Sequence, residues 1–183
     1  MTREEALAAV KRNLKNPNLL KHTLAVEAVM RRLAGRLGQD PERWGLAGLL
    51  HDIDYSLTFE DPERHSQVGA DMLAEMGLDA ELVEAVRAHN DRHGLPRTTD
   101  MARALYAADP LTGLIVAAAL IHPQKRLAPL DPAFVLNRFK EKSFARGARR
   151  DAIESCSELG LGLEEFVALG LEAMQGVAAE LGL

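Results

Sequence analysis

Apolar side chains return along this chain at steps of three and four, the repeat of one helix face. Between 17 and 37 the stripe runs Leu19, Val26, Val29 or Met30, Leu33 and Leu37, with His22 in a core-facing slot. Further along, Trp44, Ala47 and His51 share a face, as do His65, Val68, Met72 and Met76. The same spacing links Leu82, Val86 and His89, then Leu105, Asp109, Thr112 and Val116. Alternating strand patterns are nearly absent. Punctuation supports helices as well. Asn16-Pro17, Asp40-Pro41, Asp61-Pro62 and Asp131-Pro132 each set a capping side chain before a proline at a first helical position. Gly38, Gly77, Gly94 and Gly160 fall where helices should stop. The pattern predicts helices near 2–14, 17–37, 41–52, 62–76, 79–91, 99–121, 132–140, 144–158 and 162–181. The fold class is therefore all-α, a helical bundle. The stretch HPQKRLAPLDP (122–132) reads as a boundary between a core, 1–121, and a C-terminal helical extension, 122–183, packed on that core.

Composition narrows the function classes. Hydrophobic residues make up 47% of 183, enough for a real core. A net charge of −5 gives no global attraction to nucleic acid or to an anionic membrane. Nucleic acid is accordingly not expected as a partner. Cys156 is the single cysteine, so no intramolecular disulfide can form, and it reads as a small helix residue. The longest apolar run, LTGLIVAAALI at 111–121, falls short of the ~20 residues that cross a bilayer. The expectation is a soluble, cytoplasmic protein. Its oligomeric state is not readable.

The inward stripes carry an anomaly. His22, His51, Asp52, His65, His89 and Asp109 all sit at core-facing positions. One inward histidine is ordinary. Several, each on its own helix and accompanied by carboxylates, are costly to bury unless something compensates. A divalent cation favours ionised Asp and neutral His together. Six candidate ligands exceed the four of a structural zinc site, so one or two ions are expected, with Asp52 as the bridge if there are two. His/Asp ligation suits Mn, Fe, Co, Ni or Zn, and Mg remains open.

In that order, His22, His51-Asp52 and Asp109 resemble the HD-domain superfamily of metal-dependent phosphohydrolases. His65 in RHSQVGADML and His89 in AVRAHND look like the extra histidines of its two-metal members. AADPLTGL around Asp109 is similar to the family's closing Asp segment. The match covers roughly 18–121. It implies an all-α fold and a metal-activated water attacking phosphorus, in nucleotides or similar small phosphate esters. Two departures stand out. Asp54 occupies the place of the glycine in an HDIG motif. It could hold a ligand histidine, act as general base, or merely make local backbone bonds. Pro110 disfavours helical geometry at Asp109 and could kink the chain there. The HHE-type doublet and GYP signature of cyclic-dinucleotide relatives are missing.

Phosphate chemistry also needs positive charge for the substrate's oxygens. Lys21, beside His22, is the nearest candidate. Lys140, Lys142 and Arg146, in the basic run 138–150, qualify if the extension folds over the site; otherwise they form a solvated face. His93 lies one turn beyond His89 and could replace it or touch substrate, although Gly94 suggests the helix ends there. His122, before Pro123, is given no role. The catalytic set is thus Asp52, Asp54 and Lys21. Two rival readings remain: a non-catalytic, metal-stabilised binding or signalling module, and a metal oxygenase on the same scaffold.

Overall fold

A computed structural model describes residues 1–183 and contains helices but no strands. In chain order these are α1 (Arg3–Asn13), α2 (Pro17–Leu37), α3 (Pro41–Leu50), α4 (Tyr55–Thr58), α5 (Gln67–Glu75) and α6 (Ala80–Ala88). Then follow α7 (Asp100–Ile121), α8 (Pro132–Lys140), α9 (Arg150–Glu154), α10 (Leu163–Gly176) and α11 (Ala178–Leu181). Short 3-10 turns cover Asp91–His93 and Ser155–Leu159. Three of the expected Asn/Asp-Pro caps form. Asn16, Asp40 and Asp131 accept backbone N–H groups at the starts of α2, α3 and α8. Gly38, Gly94 and Gly160 close their elements in the left-handed region.

α2 and α7 form the middle of the molecule. α3 lies on α2, α6 on α7, and α5 on α6; α10 covers both α2 and α7. One apolar cluster joins Leu33 and Leu50 to Leu105 and Leu111, and continues through Phe166, Val167 and Met174. Hydrophobic packing therefore crosses the 122–132 loop without a break. Close approach needs glycine at one crossing in particular. A Cβ on Gly48 would stand 2.8 Å from the Val26 carbonyl oxygen and 2.9 Å from Glu27 backbone atoms. That contact seats α3 on α2, with His51 at the end of α3.

Four sequence expectations are corrected. Asp61-Pro62 starts no helix: the chain turns through 62–66, and α5 begins only at Gln67. The buried face of α5 is Gly69, Ala70 and Leu73, not Val68, Met72 and Met76; Met76 is exposed. The segment 144–158 is not one helix, because α9 is short and passes into a 3-10 turn. Finally, α7 continues past Pro110, which sits inside the helix and withholds one N–H. α7 is also longer than its most apolar stretch. At 22 residues, with an 18-residue stretch of mean hydropathy 1.8, it is long and apolar enough to span a bilayer by length and composition, yet 56% of that stretch is buried inside the bundle.

Candidate metal centre

Two of the cluster's histidines are set by the same local device. His51 follows the last residue of α3, and His89 the last residue of α6. Each turns its Nδ1 back to the carbonyl three residues earlier, in the last turn of its helix. His51 Nδ1 lies 2.8 Å from the Gly48 oxygen, and His89 Nδ1 lies 2.6 Å from the Val86 oxygen. A carbonyl only accepts, so Nδ1 carries the proton and Nε2 presents a lone pair.

The other two rings reach the same state through side chains. His65 Nδ1 is 3.0 Å from Asp54 Oδ1. His22 Nδ1 is 3.3 Å from Thr112 Oγ1, whose own hydroxyl donates to the Asp109 carbonyl at 2.8 Å. The Thr112 oxygen is therefore left to accept. Every ring has its Nδ1 engaged outward and its Nε2 turned toward Asp52.

Asp52 is the hub. Its Oδ1 stands 3.4 Å from His51 Nε2, 3.3 Å from His65 Nε2 and 3.6 Å from His89 Nε2. Its Oδ2 stands 3.7 Å from His22 Nε2, which in turn is 3.0 Å from Asp109 Oδ1. Most of these separations are long for direct hydrogen bonds. Two overlapping groups, His22 with His51 and Asp109, and His51 with Asp52 and His89, bring their donor atoms within 4.8 Å of one another. His51 Nε2 is buried without any hydrogen-bond partner. A buried lone pair beside carboxylate oxygens is favourable when a cation lies between them, and imidazole nitrogen with carboxylate oxygen suits a first-row divalent ion. The residues present fit such an ion.

Electrostatics agree. Burial pushes His51 down, which keeps it neutral. Burial also opposes charge on His22, but its bond to Asp109 and the fields of Asp109 and Asp52 outweigh it and carry the ring up to about 8. His65 is likewise opposed by burial but raised to about 10 by Asp52 and Asp54. Burial works to raise Asp52 and Asp109, yet the surrounding imidazoles hold both below the usual carboxylate range. Without a cation, the acids draw protons onto the rings.

Exposure locates the mouth. Side-chain accessibility is 0% for His51 and 3% for His89, against 26% for His22 and 33% for Asp109. The centre is closed at the α3 and α6 ends and open at α2 and α7. A cavity of about 210 Å³ borders His65, His89 and Asp109. A second, of about 470 Å³, borders His22 and Thr112.

All six candidate ligands thus meet, and the remaining candidates separate. Asp54 is fully buried and lies away from both cavities. Besides His65, it accepts the amides of Ser66 and Gly69, each at 2.9 Å. With both oxygens engaged, it holds His65 in place, and no free lone pair faces the mouth for a general base. Gly69 allows this approach, since a Cβ there would stand 3.1 Å from the Asp54 carboxyl. Ser66 pays for it with a positive φ of 72°. Lys21 is exposed on the rim of the larger cavity. Lys140, Lys142 and Arg146 are exposed and line neither cavity. His93 neither replaces His89 nor points at the centre; its Nε2 holds the His65 carbonyl at 2.7 Å. Asn90 supports the same carbonyl at 3.1 Å. Sequence reasoning missed Thr112, Asn90 and Arg149 as site residues. Thr112 was legible from its stripe position one turn beyond Asp109; the other two lie in irregular segments with no periodic signal.

The HD domain family model matches residues 19–122. Ribonuclease Y of Nitratidesulfovibrio vulgaris is 34% identical over 96 residues, 52% of this chain and 18% of that protein. Ribonuclease Y of Lawsonia intracellularis is 33% identical over 103 residues, 56% of this chain and 20% of its own length. Ribonuclease Y of Desulfotalea psychrophila is 33% identical over 139 residues, 73% of this chain and 26% of its own length. The chain spans only a fifth to a quarter of these relatives. Their name sits against the charge-based expectation that set nucleic acid aside. A doublet at the hub of converging imidazoles, within a match spanning more than half the sequence, supports one conclusion: the chain belongs to the HD-domain family of metal-dependent phosphohydrolases.

Proposed function

We propose that this protein hydrolyses a phosphoester bond in a nucleotide or a short ribonucleotide strand, with one or two divalent ions held by His22, His51, Asp52, His65, His89 and Asp109. The observation that carries the reading is the common orientation of the four imidazoles, each anchored at Nδ1 and each turning Nε2 toward Asp52. When bound, such an ion polarises a phosphoryl oxygen and lowers the pKa of water toward neutrality. The chain's own residues supply the rest. Asp52 lies between the histidines with both oxygens in reach, the position a shared ligand requires. Asp54 fixes His65, and Thr112 fixes His22, so neither ring must reorganise on binding. Asp109 and His22 stand at the open side, where a phosphate ester meets the centre. Lys21, on the rim beside His22, offers positive charge to the arriving anion.

The relatives' name, Ribonuclease Y, favours a phosphodiester between ribonucleotides among the possible substrates. The test is direct. The chain, loaded in turn with Mn²⁺, Fe²⁺, Co²⁺ or Mg²⁺, is offered mononucleotides, bis(p-nitrophenyl) phosphate, a short RNA and the matching DNA. Phosphoester cleavage that Asp52→Ala reduces by at least ~100-fold, with melting temperature preserved, supports the proposal. Bound metal without turnover of any of them favours a metal-stabilised binding module. Oxygen uptake with an organic substrate favours oxygenase chemistry.

A further inference from the structure

The cavity of about 210 Å³ opens onto His65, His89 and Asp109, so a substrate approaching the centre from that side occupies it. Asn90, Asp91, Tyr106, Gly147 and Arg149 also line it. Among the lining residues Arg149 is the only arginine, and no lysine is present. It comes from the far side of the 122–132 loop, the part of the chain beyond the family match.

Its neighbour shows how it is delivered. The Arg150 guanidinium donates to the carbonyls of Phe139 at 3.0 Å, Ala145 at 2.9 Å, Ala148 at 2.6 Å and Phe144 at 2.6 Å. Those bonds tie the irregular 141–148 segment and the end of α8 into a fixed loop that ends at the cavity. Arg150 is therefore consumed by structure. Arg149 is not: it pairs with Asp91, on the turn just after His89, and with Asp151. All three side chains are substantially exposed, at 44%, 39% and 67%. Exposed pairs of this kind are weak and exchange readily for a better anion. A phosphate is such an anion, because it accepts two parallel N–H groups from one guanidinium.

We infer that Arg149 is a substrate-binding residue that takes a phosphate oxygen in this cavity, and that Asp91 holds it there until the phosphate displaces the carboxylate. The inference rests on the phosphohydrolase reading and deepens it. It makes Asp91 a competitor of the substrate, which a purely structural ion pair would not be.

Inorganic phosphate is the probe. Calorimetry on the Mn²⁺-loaded full chain compares wild type with Arg149→Ala, Arg149→Lys and Asp91→Asn, with melting temperatures taken alongside. Arg149→Ala should weaken phosphate by about tenfold, the scale of one charge-assisted hydrogen bond. Arg149→Lys should recover part of the loss. Asp91→Asn should tighten phosphate by about threefold, because it removes the rival anion. Unchanged affinity in Arg149→Ala, or weaker binding in Asp91→Asn at an unaltered melting temperature, would overturn the inference and leave the proposed function standing. Wild-type chain that binds no phosphate and cleaves no phosphoester would overturn both.

Discussion

The partner on Nδ1 decides what each histidine can do. His51 and His89 find theirs in the backbone, at the carbonyl three residues back, so any sequence that ends those helices in histidine can place the ring. His65 depends on Asp54. Asp54→Ala removes the acceptor for His65, Ser66 and Gly69 at once. It should cost about 3 kcal/mol in urea unfolding, the scale of buried donors left unpaired. It should also weaken Mn²⁺ by about 10- to 100-fold, measured by calorimetry, as loss of a residue that orients a ligand does. The residue that resembled a departure from an HDIG motif is thus the one that fixes a ring. Its type was legible; its role was not, because Ser66 and Gly69 are brought to it by turns that no periodicity announces. Protons give a second test. His22 is raised above its ordinary 6.5 to about 8, and His65 to about 10. A raised histidine stabilises the metal-free protein fully below about pH 6.5 and loses that contribution as pH climbs through the raised value. Metal-free chain should therefore melt at progressively lower temperature from about pH 6.5 to 8, with the His65 part persisting further. Mn²⁺ must displace the same protons, so its affinity should rise over that window by up to about tenfold per pH unit for each proton released. Melting curves with and without Mn²⁺ at three pH values would check both directions.

Helix spacing was the most legible layer. The stripes place α2, α3 and α7 within two residues of where they lie and α6 within three, and those helices carry five of the six clustered side chains or end beside them. Spacing failed where distant groups dictate the backbone. α5 starts late because Asp54 claims the amides of Ser66 and Gly69. The 144–158 helix breaks because Arg150 gathers the carbonyls of the loop before it. Asp54 lies twelve residues before Ser66, and Arg150 opens α9 but reaches back eleven residues to Phe139. Helix contacts yield a comparison. Gly48→Ala puts a methyl against the backbone of α2, which cannot turn aside. Gly170→Ala meets side chains alone, the Leu111 Cδ2 methyl at 2.6 Å and Ile115 Cδ1 at 3.4 Å, and the Leu111 side chain can rotate. Gly48→Ala should cost about 3 kcal/mol and Gly170→Ala about 1 kcal/mol by urea midpoint. Gly48→Ala should also weaken metal binding, because the Gly48 carbonyl holds His51. Equal costs for the two would mean that α3 is not seated as described.

At the scale of the whole molecule, averages mislead. A net charge of −5 describes the surface as a sum and says nothing about one cavity with an arginine at its wall. The relatives' name, Ribonuclease Y, sits against an expectation drawn from that sum. Likewise, α7 passes a test of length and apolarity while carrying Asp109 at the open side of the centre. Its apolar length follows from being surrounded by α2, α6, α9 and α10. The apolar cluster that unites 1–121 with the later helices also explains how Arg149 comes to lie near His89. Nothing in the charge pattern of 138–150 singled it out from Lys140, Lys142 or Arg146.

The central claim is that these imidazoles and carboxylates share a cation, and an equilibrium titration tests it most directly. Chelator-stripped chain is titrated with Mn²⁺ beside Asp52→Ala, with circular dichroism to establish that both are folded. Saturable uptake of one or two ions by the wild type, lost in the folded variant, is the predicted result. A wild type that takes up no ion, or a variant that binds as many as tightly, would contradict it.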